Sequence, residues 1–313
     1  MTAKITFYGA TRKLGNPNTN LESFLNSIVA HAANPTNIEV LFAIDKDDDL
    51  AYFDALQVRY RGTIHLKFII SEIRHGYSNL HLYYKEVFKH LAPTSRMLFG
   101  SSDDAQITMQ NFDEVLLKID ARYADNIYFI HTRNTYRENY LGDVTKNLRY
   151  LFWVMQAKEP ASYFPIISRK VFDVAQSYAD KHDKKGEWIP FANSWIVDCY
   201  VDILSVYCAM QGLERIYHTQ ELIRINDNQI TADHHRPPHQ YGLSPNNVGF
   251  IKLLSNETQD YLQGLAREIV RSCPHLAIAR IDSRFRKTLR ALRPYARVVR
   301  NNLRKINIKE MFK

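Results

Sequence analysis

Along the first third of the chain, short apolar runs alternate with segments in which apolar residues recur every three or four positions. The apolar runs predict four buried β-strands, at 4–12, 38–44, 63–71 and 96–100. The periodic segments, at 21–29 and 78–92, predict amphipathic helices between these strands. Strands that alternate with such helices are typical of a mostly parallel sheet with helices on both faces. We therefore predict an α/β fold.

After residue 105 the pattern is looser but still predicts further elements. They are a helix at 112–123, a strand at 125–132, an extended segment turning into a helix at 164–178, and a long apolar helix at 192–210. The stretch 230–247 has three prolines, three histidines and little periodicity, which indicates a loop. We expect a main domain over 1–245, a helical connector over 246–279 and a separate tail over 280–313.

The tail differs from the rest of the chain in its charge. Residues 280–313 contain 12 of the 41 Lys and Arg but only two of the 33 acidic residues, a local net charge of +10. Its apolar residues recur in steps of three and four: Ile281, Phe285, Leu289, Leu292, Ala296, Val299, Leu303 and Ile306. A basic amphipathic helix of this kind is typical of a segment that lies on an anionic membrane surface. Packing on the main domain or on a second subunit, and binding to nucleic acid, are the alternatives.

Composition and charge narrow the class of protein. The 313 residues are 45% hydrophobic and 24% charged, an ordinary globular mixture. The three cysteines form no CxxC pair, which favours a reduced compartment. The sequence has no signal-peptide pattern and no apolar run of about 18 residues, so we expect a cytoplasmic protein, peripheral at the inner face of the membrane. Without the tail the net charge is −2, which argues against a nucleic-acid-binding protein.

Clustered aspartates follow two of the predicted strands. Asp45 and Asp47 come after the second strand, and Asp103 and Asp104 come after the fourth. Open α/β sheets bind their ligands at the carboxyl ends of the parallel strands. Adjacent carboxylates repel each other unless a cation lies near them, and oxygen ligands suit divalent metals. The second cluster therefore predicts a metal and diphosphate site; a solvated turn or helix cap is the alternative.

Several short segments, taken in order, resemble the metal-dependent, nucleotide-sugar-utilising glycosyltransferases of the GT-A fold, most like family 2 and its relatives. These segments are Thr11 and Arg12, Asp45 and Asp47, RHGYSNLH (74–81), SSDD (101–104), FPIISRK (164–170), ANSWIVD (192–198) and the late histidine cluster. The resemblance covers roughly residues 4–240 and depends on order and spacing. In one departure, Ser102 stands where the first acid of a DxD triplet would be.

The resemblance implies a fold, an activity and partners. Residues 1–245 would form a Rossmann-like GT-A catalytic domain that uses Mn²⁺ or Mg²⁺. It would transfer a sugar from a nucleotide-diphosphate sugar to a hydroxyl of a cell-surface or lipid-linked glycan, with inversion, in polysaccharide biosynthesis. The expected partners are this donor, the glycan acceptor and the anionic membrane surface under the tail, but no nucleic acid; the sequence leaves open whether the chain forms an oligomer.

The resemblance also assigns candidate metal ligands. Asp104 would bind the metal, and Asp103 would contact the ribose or hold the metal through water. A second metal contact would come from His235, in preference to His234 and His239. Imidazole is an acceptable ligand for Mn²⁺. The alternative for these histidines is an ordinary surface loop.

Four residues resemble a nucleotide pocket. Thr11 and Arg12 follow the first strand, and Asp45 and Asp47 follow the second. The Arg12 guanidinium has the geometry for bidentate pairing with phosphate. The next two aspartates, 48–49, are better explained by a helix N-terminus.

Arg74, Tyr77 and Ser78 lie between the third strand and the helix that follows it. Backbone amides in this segment, together with the Arg74 side chain, are expected to face the diphosphate or the sugar. A simple N-cap at Ser78 is the alternative reading.

By the same resemblance Asp198 is the general base, which an inverting enzyme needs to take the proton of the acceptor hydroxyl. Trp195, one turn earlier, would form an apolar wall for the sugar. Asp198 as a purely structural cap or ion pair is the alternative.

One rival enzyme class, the nucleotidyltransferases, also acts on diphosphates with a similar sheet. Such an enzyme usually has a Gly-rich loop with a basic residue after its first strand. The segment GATRKLGNPN (9–18) is a poor match to that pattern.

Overall fold

The computed structural model describes residues 3–15, 20–76, 79–132, 142–143, 164–184, 196–219, 221–225 and 256–273. For residues 143, 196–199 and 225 the structure describes the backbone but not the side chains. The predicted tail, 280–313, and the loop 230–247 lie outside the described residues.

The strands fall into one large sheet and one small sheet. The strands in chain order are β1 (Ile5–Ala10), β2 (Ile38–Asp45), β3 (His65–Ser71), β4 (Met97–Gly100), β5 (Ala105–Ile107), β6 (Phe129–His131), β7 (Gly142–Asp143), β8 (Ile166–Ser168), β9 (Ile216–His218) and β10 (Ile223–Ile225). The described part of the large sheet has the order β3-β2-β1-β4-β8-β6-β9-β7, and β5 pairs with β10 alone. Because β8 and β7 run antiparallel to their neighbours, β1 to β4, β6 and β9 all point in the same direction.

Helices cover both faces of this sheet. The helices in chain order are α1 (Leu21–His31), α2 (Leu50–Tyr60), α3 (Leu80–Phe88), α4 (Phe112–Asp120), α5 (Arg169–Lys181), α6 (Ile196–Met210) and α7 (Asn256–Arg271). Among the helices in the described ranges, none has the length and apolar character needed to cross a membrane.

Strand β2 explains why two separate cores form. All eight of its residues are buried. Because successive side chains of a strand point to opposite faces, Val40 and Phe42 pack with α1, α2 and α4, whereas Leu41 and Ala43 pack with the helices of the other face. A strand covered on both faces appears in sequence as a continuous apolar run.

The predicted α/β class and the mostly parallel sheet with helices on both faces are confirmed. Helix α2 has only three buried residues, Phe53, Leu56 and Tyr60, so its apolar stripe was too weak to predict the helix from periodicity. The predicted connector 246–279 contains α7. Its apolar face packs in the same cluster as α5 and α6.

Candidate active site

The carboxyl ends of β1, β2, β3 and β4 meet at one edge of the large sheet. The chain passes from β1 outward to β2 and β3, then returns to the other side of β1 as β4. In open α/β sheets, this reversal of strand order creates the crevice in which ligands bind. The residues that follow β1 and β4 are therefore the first candidates for a site.

A side-chain hydrogen bond joins the two sides of this crevice. The Thr11 hydroxyl, just after β1, donates to Oδ2 of Asp103, after β4, over 2.7 Å. Thr11 is buried and Asp103 is half-buried. The backbone N–H of Ser101 also donates to the Tyr8 carbonyl over 2.9 Å, so the pairing of the two strands continues towards the aspartates.

Gly9 allows this close approach. A Cβ atom at this position would lie 2.1 Å from the Phe42 ring and 2.6 Å from the Ser101 carbonyl oxygen. Since the Ser101 contact is with backbone, a larger residue would push the acidic loop away from β1. The sequence alone gave no sign of this constraint.

Arg12 links Asp45, the last residue of β2, with Asp47 in the turn that follows. Its Nη1 lies 2.6 Å from Asp45 Oδ2 and 3.0 Å from Asp47 Oδ1, and its Nη2 lies 3.1 Å from Asp47 Oδ2. The Asp45 side chain is 6% exposed, whereas that of Asp47 is 58% exposed. Hydrogen bonds to Asp47, and then to Asp45, raise the pKa of Arg12 further above its ordinary value, and the Arg12 hydrogen bond lowers the pKa of Asp47. The guanidinium is thus a fixed cation beside the crevice.

The two aspartates at 48–49 have different roles. Asp49 is the N-cap of α2, and its side chain accepts from the backbone N–H of Tyr52 over 3.1 Å, so the helix-terminus prediction is confirmed for Asp49. Asp48 is buried and accepts from the backbone N–H groups of Lys13 and Leu14 over 2.9 and 2.7 Å. Its carboxylate therefore fixes the loop that carries Arg12, a role that the sequence did not reveal.

The segment after β3 is tied to Asp45 through Tyr83 on α3. The Tyr83 hydroxyl donates to Asp45 Oδ1 over 2.5 Å and accepts from the backbone N–H groups of His75 and Gly76. These two amides, expected to face a diphosphate or sugar, are instead directed at Tyr83. The Arg74 side chain is exposed, with Nε 3.9 Å from Asp45 Oδ2.

The acidic loop after β4 contains the candidate metal ligands. Asp103 and Asp104 are both half-buried in a turn, and the Ser102 hydroxyl donates to Asp104 Oδ1. In the described part of the chain, no three side chains of His, Cys, Asp or Glu converge on one point. Adjacent carboxylates at an open crevice fit Mg²⁺ or Mn²⁺, since such ions take few protein ligands and fill the remaining positions with phosphate oxygens and water.

A buried polar cluster lies at the same sheet edge, beyond β8. His131 ends β6, and its Nε2 is 3.2 Å from Asp202 Oδ1 on α6 and 3.3 Å from the Ser205 hydroxyl. Complete burial, with a smaller effect of His218, lowers the pKa of His131 to about 3, so the imidazole is neutral near pH 7. Asp202 is therefore a core residue on α6 that lies beside the end of β6. From the sequence Asp202 was only a second acid four residues after Asp198, and its contact with His131 was not predicted, because both residues lie in apolar runs.

Several predicted site residues lie outside what the structure describes. They are Tyr77, Ser78, Trp195, His234, His235 and His239. Asp198 lies in the first turn of α6, but its side chain is not among those described. Of the predicted site residues, the structure brings together Thr11, Arg12, Asp45, Asp47, Arg74, Asp103 and Asp104.

No protein-family model matches the chain, and no curated protein matches it. Among solved structures, it is similar to the mannosyltransferase PcManGT from Pyrobaculum calidifontis, in complex with GDP-Man and Mn²⁺, with 11% identity over 97% of this chain and 80% of that chain and a TM-score of 0.49. It is also similar to glucosyl-3-phosphoglycerate synthase from Mycobacterium tuberculosis, in complex with Mn²⁺, UDP and phosphoglyceric acid, with 13% identity over 80% of this chain and 78% of that chain and a TM-score of 0.47.

A third similar structure is TarS from S. aureus. Identity is 13% over 88% of this chain, with a TM-score of 0.48, and the chain spans only 44% of that structure. A 1–349 form of TarS, also solved with UDP-GlcNAc, is 16% identical over 94% of this chain and 87% of that chain, with a TM-score of 0.46. A 4-diphosphocytidyl-2C-methyl-D-erythritol synthase from Anaerococcus prevotii is 12% identical over 73% of this chain and 92% of that chain, with a TM-score of 0.40. With TM-scores below 0.5, these similarities carry no argument about substrates or residues.

Proposed function

We propose that this chain is a GT-A-type glycosyltransferase that transfers a sugar from a nucleotide-diphosphate sugar to a hydroxyl of a glycan or lipid-linked acceptor, with inversion. The observation that best supports the proposal is the Thr11 to Asp103 hydrogen bond of 2.7 Å at the reversal of strand order. On one side of the crevice, Thr11 adjoins the cluster of Arg12, Asp45 and Asp47. On the other side, Asp103 adjoins the carboxylate of Asp104.

In this proposal each side of the crevice binds one end of the donor. Asp45 and Asp47, held by Arg12, offer fixed acceptors for the N–H and hydroxyl groups of a base and ribose. Asp103 and Asp104 would hold a divalent cation, which neutralises the charge that develops on a leaving diphosphate. Arg12 remains protonated throughout and orients both carboxylates, and its hydrogen bond lowers the pKa of Asp47.

Asp198 is the proposed general base. It stands in the first turn of α6, and Asp202 stands four residues later in the same helix. Asp202 is buried beside His131. Since Asp202 has a core role, Asp198 is the stronger candidate of the two to accept the proton of an acceptor hydroxyl.

A donor screen tests the proposed activity. Purified full-length protein is incubated with UDP-, GDP-, CDP- and ADP-sugars, each with and without Mn²⁺, and release of nucleoside diphosphate is measured. We expect one donor to be hydrolysed slowly in Mn²⁺ and not in EDTA. Release of pyrophosphate from a nucleoside triphosphate would instead support a nucleotidyltransferase, and no turnover of any donor would contradict the proposal.

We further propose that the basic tail binds anionic membranes, where a lipid-linked acceptor would lie. Deleting residues 280–313 removes 12 of the 41 cations but none of the proposed site residues. We expect the truncated protein to keep donor hydrolysis and to lose binding to anionic vesicles. Binding of the intact chain should weaken with salt, since charges are screened over about 8–10 Å at physiological ionic strength.

Vesicle sedimentation and thermal melting check this prediction together. Neutral phosphatidylcholine vesicles serve as the control for the anionic ones. Unchanged binding of the truncated protein to anionic vesicles would contradict a membrane role. A melting temperature far below that of the intact chain would mean that the apolar stripe packs against the main domain.

A further inference from the structure

We propose that Tyr83 is a positioning residue through which this site selects the base and ribose end of a nucleoside diphosphate. The inference rests on the proposed function, because it assigns a role within the same crevice. From the sequence, Tyr83 was not a candidate site residue. It was only one of the periodic residues that predict the helix at 78–92.

The Tyr83 hydroxyl uses its full hydrogen-bonding capacity. It has one proton to donate and two lone pairs. The proton goes to Asp45 Oδ1 over 2.5 Å, and the lone pairs accept from the N–H groups of His75 over 2.9 Å and Gly76 over 3.3 Å. Burial, and then the hydrogen bond to Asp45, raise the pKa of Tyr83, so the hydroxyl keeps the proton that it donates. One side chain thus connects the end of β2 with the loop after β3.

Asp45 is held from both sides as a result. Tyr83 binds Oδ1, while Arg12 binds Oδ2 over 2.6 Å. The Asp45 carboxylate is almost fully buried, and one charge-assisted hydrogen bond to each of its two oxygens fixes its plane. A carboxylate has acceptor sites for about four donors, and in the proposed complex an N–H or O–H of the ligand would use one of the sites that Tyr83 and Arg12 do not occupy.

The loop after β3 depends on the same hydroxyl. Gly76 has a left-handed φ of 72°, so the chain turns directly after the two amides that donate to Tyr83. The His75 ring packs edge-on against the Tyr83 ring, with centroids 4.9 Å apart, and His75 Nε2 lies 3.4 Å from Glu86 Oε1. The loop that carries Arg74 is therefore fixed relative to Asp45 and α3.

This arrangement predicts an effect on one end of the ligand only. Tyr83 contacts residues after β2 and β3, while the aspartates proposed for the diphosphate and metal follow β4. Loss of the hydroxyl should free Asp45, which is proposed for the base and ribose, and leave the acidic loop unchanged. The affinity for a nucleotide should then fall, but that for inorganic pyrophosphate should not.

The test compares Tyr83→Phe with Tyr60→Phe in the full-length protein. Tyr60 is as buried as Tyr83, and its hydroxyl also donates to a side-chain oxygen, Asn26 Oδ1, over 2.7 Å, but it lies at the end of α2 away from the crevice. Calorimetry in Mn²⁺ gives the Kd of UDP, GDP, CDP, ADP and pyrophosphate for the wild type and both variants. Thermal melting of each protein measures the structural cost.

We expect Tyr83→Phe to weaken the preferred nucleoside diphosphate about tenfold, because one hydrogen bond to a charged group is lost. The preference among the four bases should shrink by a similar factor, and the Kd of pyrophosphate should stay at the wild-type value. Tyr60→Phe should match the wild type in every affinity.

Three outcomes would overturn the inference while nucleotide binding by the wild type stands. They are wild-type affinity and base preference in Tyr83→Phe, an equal loss for pyrophosphate, and failure of Tyr83→Phe to fold when Tyr60→Phe folds. A wild type that binds none of the four nucleoside diphosphates would overturn the proposed function, and the inference with it.

Discussion

Replacing Asp104 by alanine is expected to abolish metal-dependent turnover of the donor while the protein remains folded. The carboxylate is half-buried in a turn beyond β4, so its loss leaves no cavity in either core. A metal-assisted leaving group gains several kcal/mol from the cation, so we expect the rate to fall by about 10³-fold or more. Donor hydrolysis in Mn²⁺ and thermal melting are the two measurements.

Two further variants make this result specific. Asp54→Ala removes an exposed aspartate on α2 that is not among the proposed site residues, and should keep full activity. Ser102→Ala removes only the hydroxyl that donates to Asp104, and should give a partial loss that added Mn²⁺ restores. Wild-type turnover by Asp104→Ala in Mn²⁺ would show that the acidic loop was misinterpreted.

Asp198→Asn is expected to lower sugar transfer by about 10²-fold or more, with little change in the Kd of the nucleoside diphosphate. The amide cannot accept the proton of the acceptor hydroxyl, and general-base catalysis typically contributes 10²–10⁴-fold. Transfer kinetics with the donor identified by the screen give kcat and KM separately, and calorimetry gives the nucleotide affinity.

Asp202→Asn, four residues later on α6, is the matched control. Because Asp202 is buried beside His131, this variant should lower the free energy of unfolding by about 1–3 kcal/mol, and its effect on transfer should be much smaller than that of Asp198→Asn. If Asp198→Asn instead loses nucleotide affinity and transfer equally, Asp198 has a structural role and the general base must be another residue.

The local pattern of apolar and polar residues was sufficient to predict many of the strands and helices. The runs that became β2 and β4 are apolar because both faces of these strands are covered, and the sequence pattern reflects that burial directly. Helix α2 escaped prediction because only three of its residues face the core. Strand β5 has three residues, too few for any periodicity to be visible.

For the site, sequence predicted positions along the chain but not the contacts between them. Each cluster of aspartates follows a strand, so its location at the carboxyl edge follows from the parallel pairing. The role of Asp48 was missed, because its partners are backbone amides of a loop 35 residues earlier in the chain. The sequence predicted that the amides after β3 face a ligand. It could not show that the Tyr83 hydroxyl accepts a hydrogen bond from two of them, those of His75 and Gly76.

The sequence by itself determined the α/β class, the positions of the first strands along the chain and the identity of the acidic residues at their ends, because burial and strand direction leave a local pattern of apolar and polar residues. Only the tertiary structure decided that Thr11 meets Asp103, that Arg12 lies between Asp45 and Asp47, and that Tyr83 holds Asp45. These pairs are 33 to 92 residues apart in the chain. The order of strands in the sheet brings them together. This order depends on contacts between distant parts of the chain, so it cannot be predicted from the local pattern of apolar and polar residues.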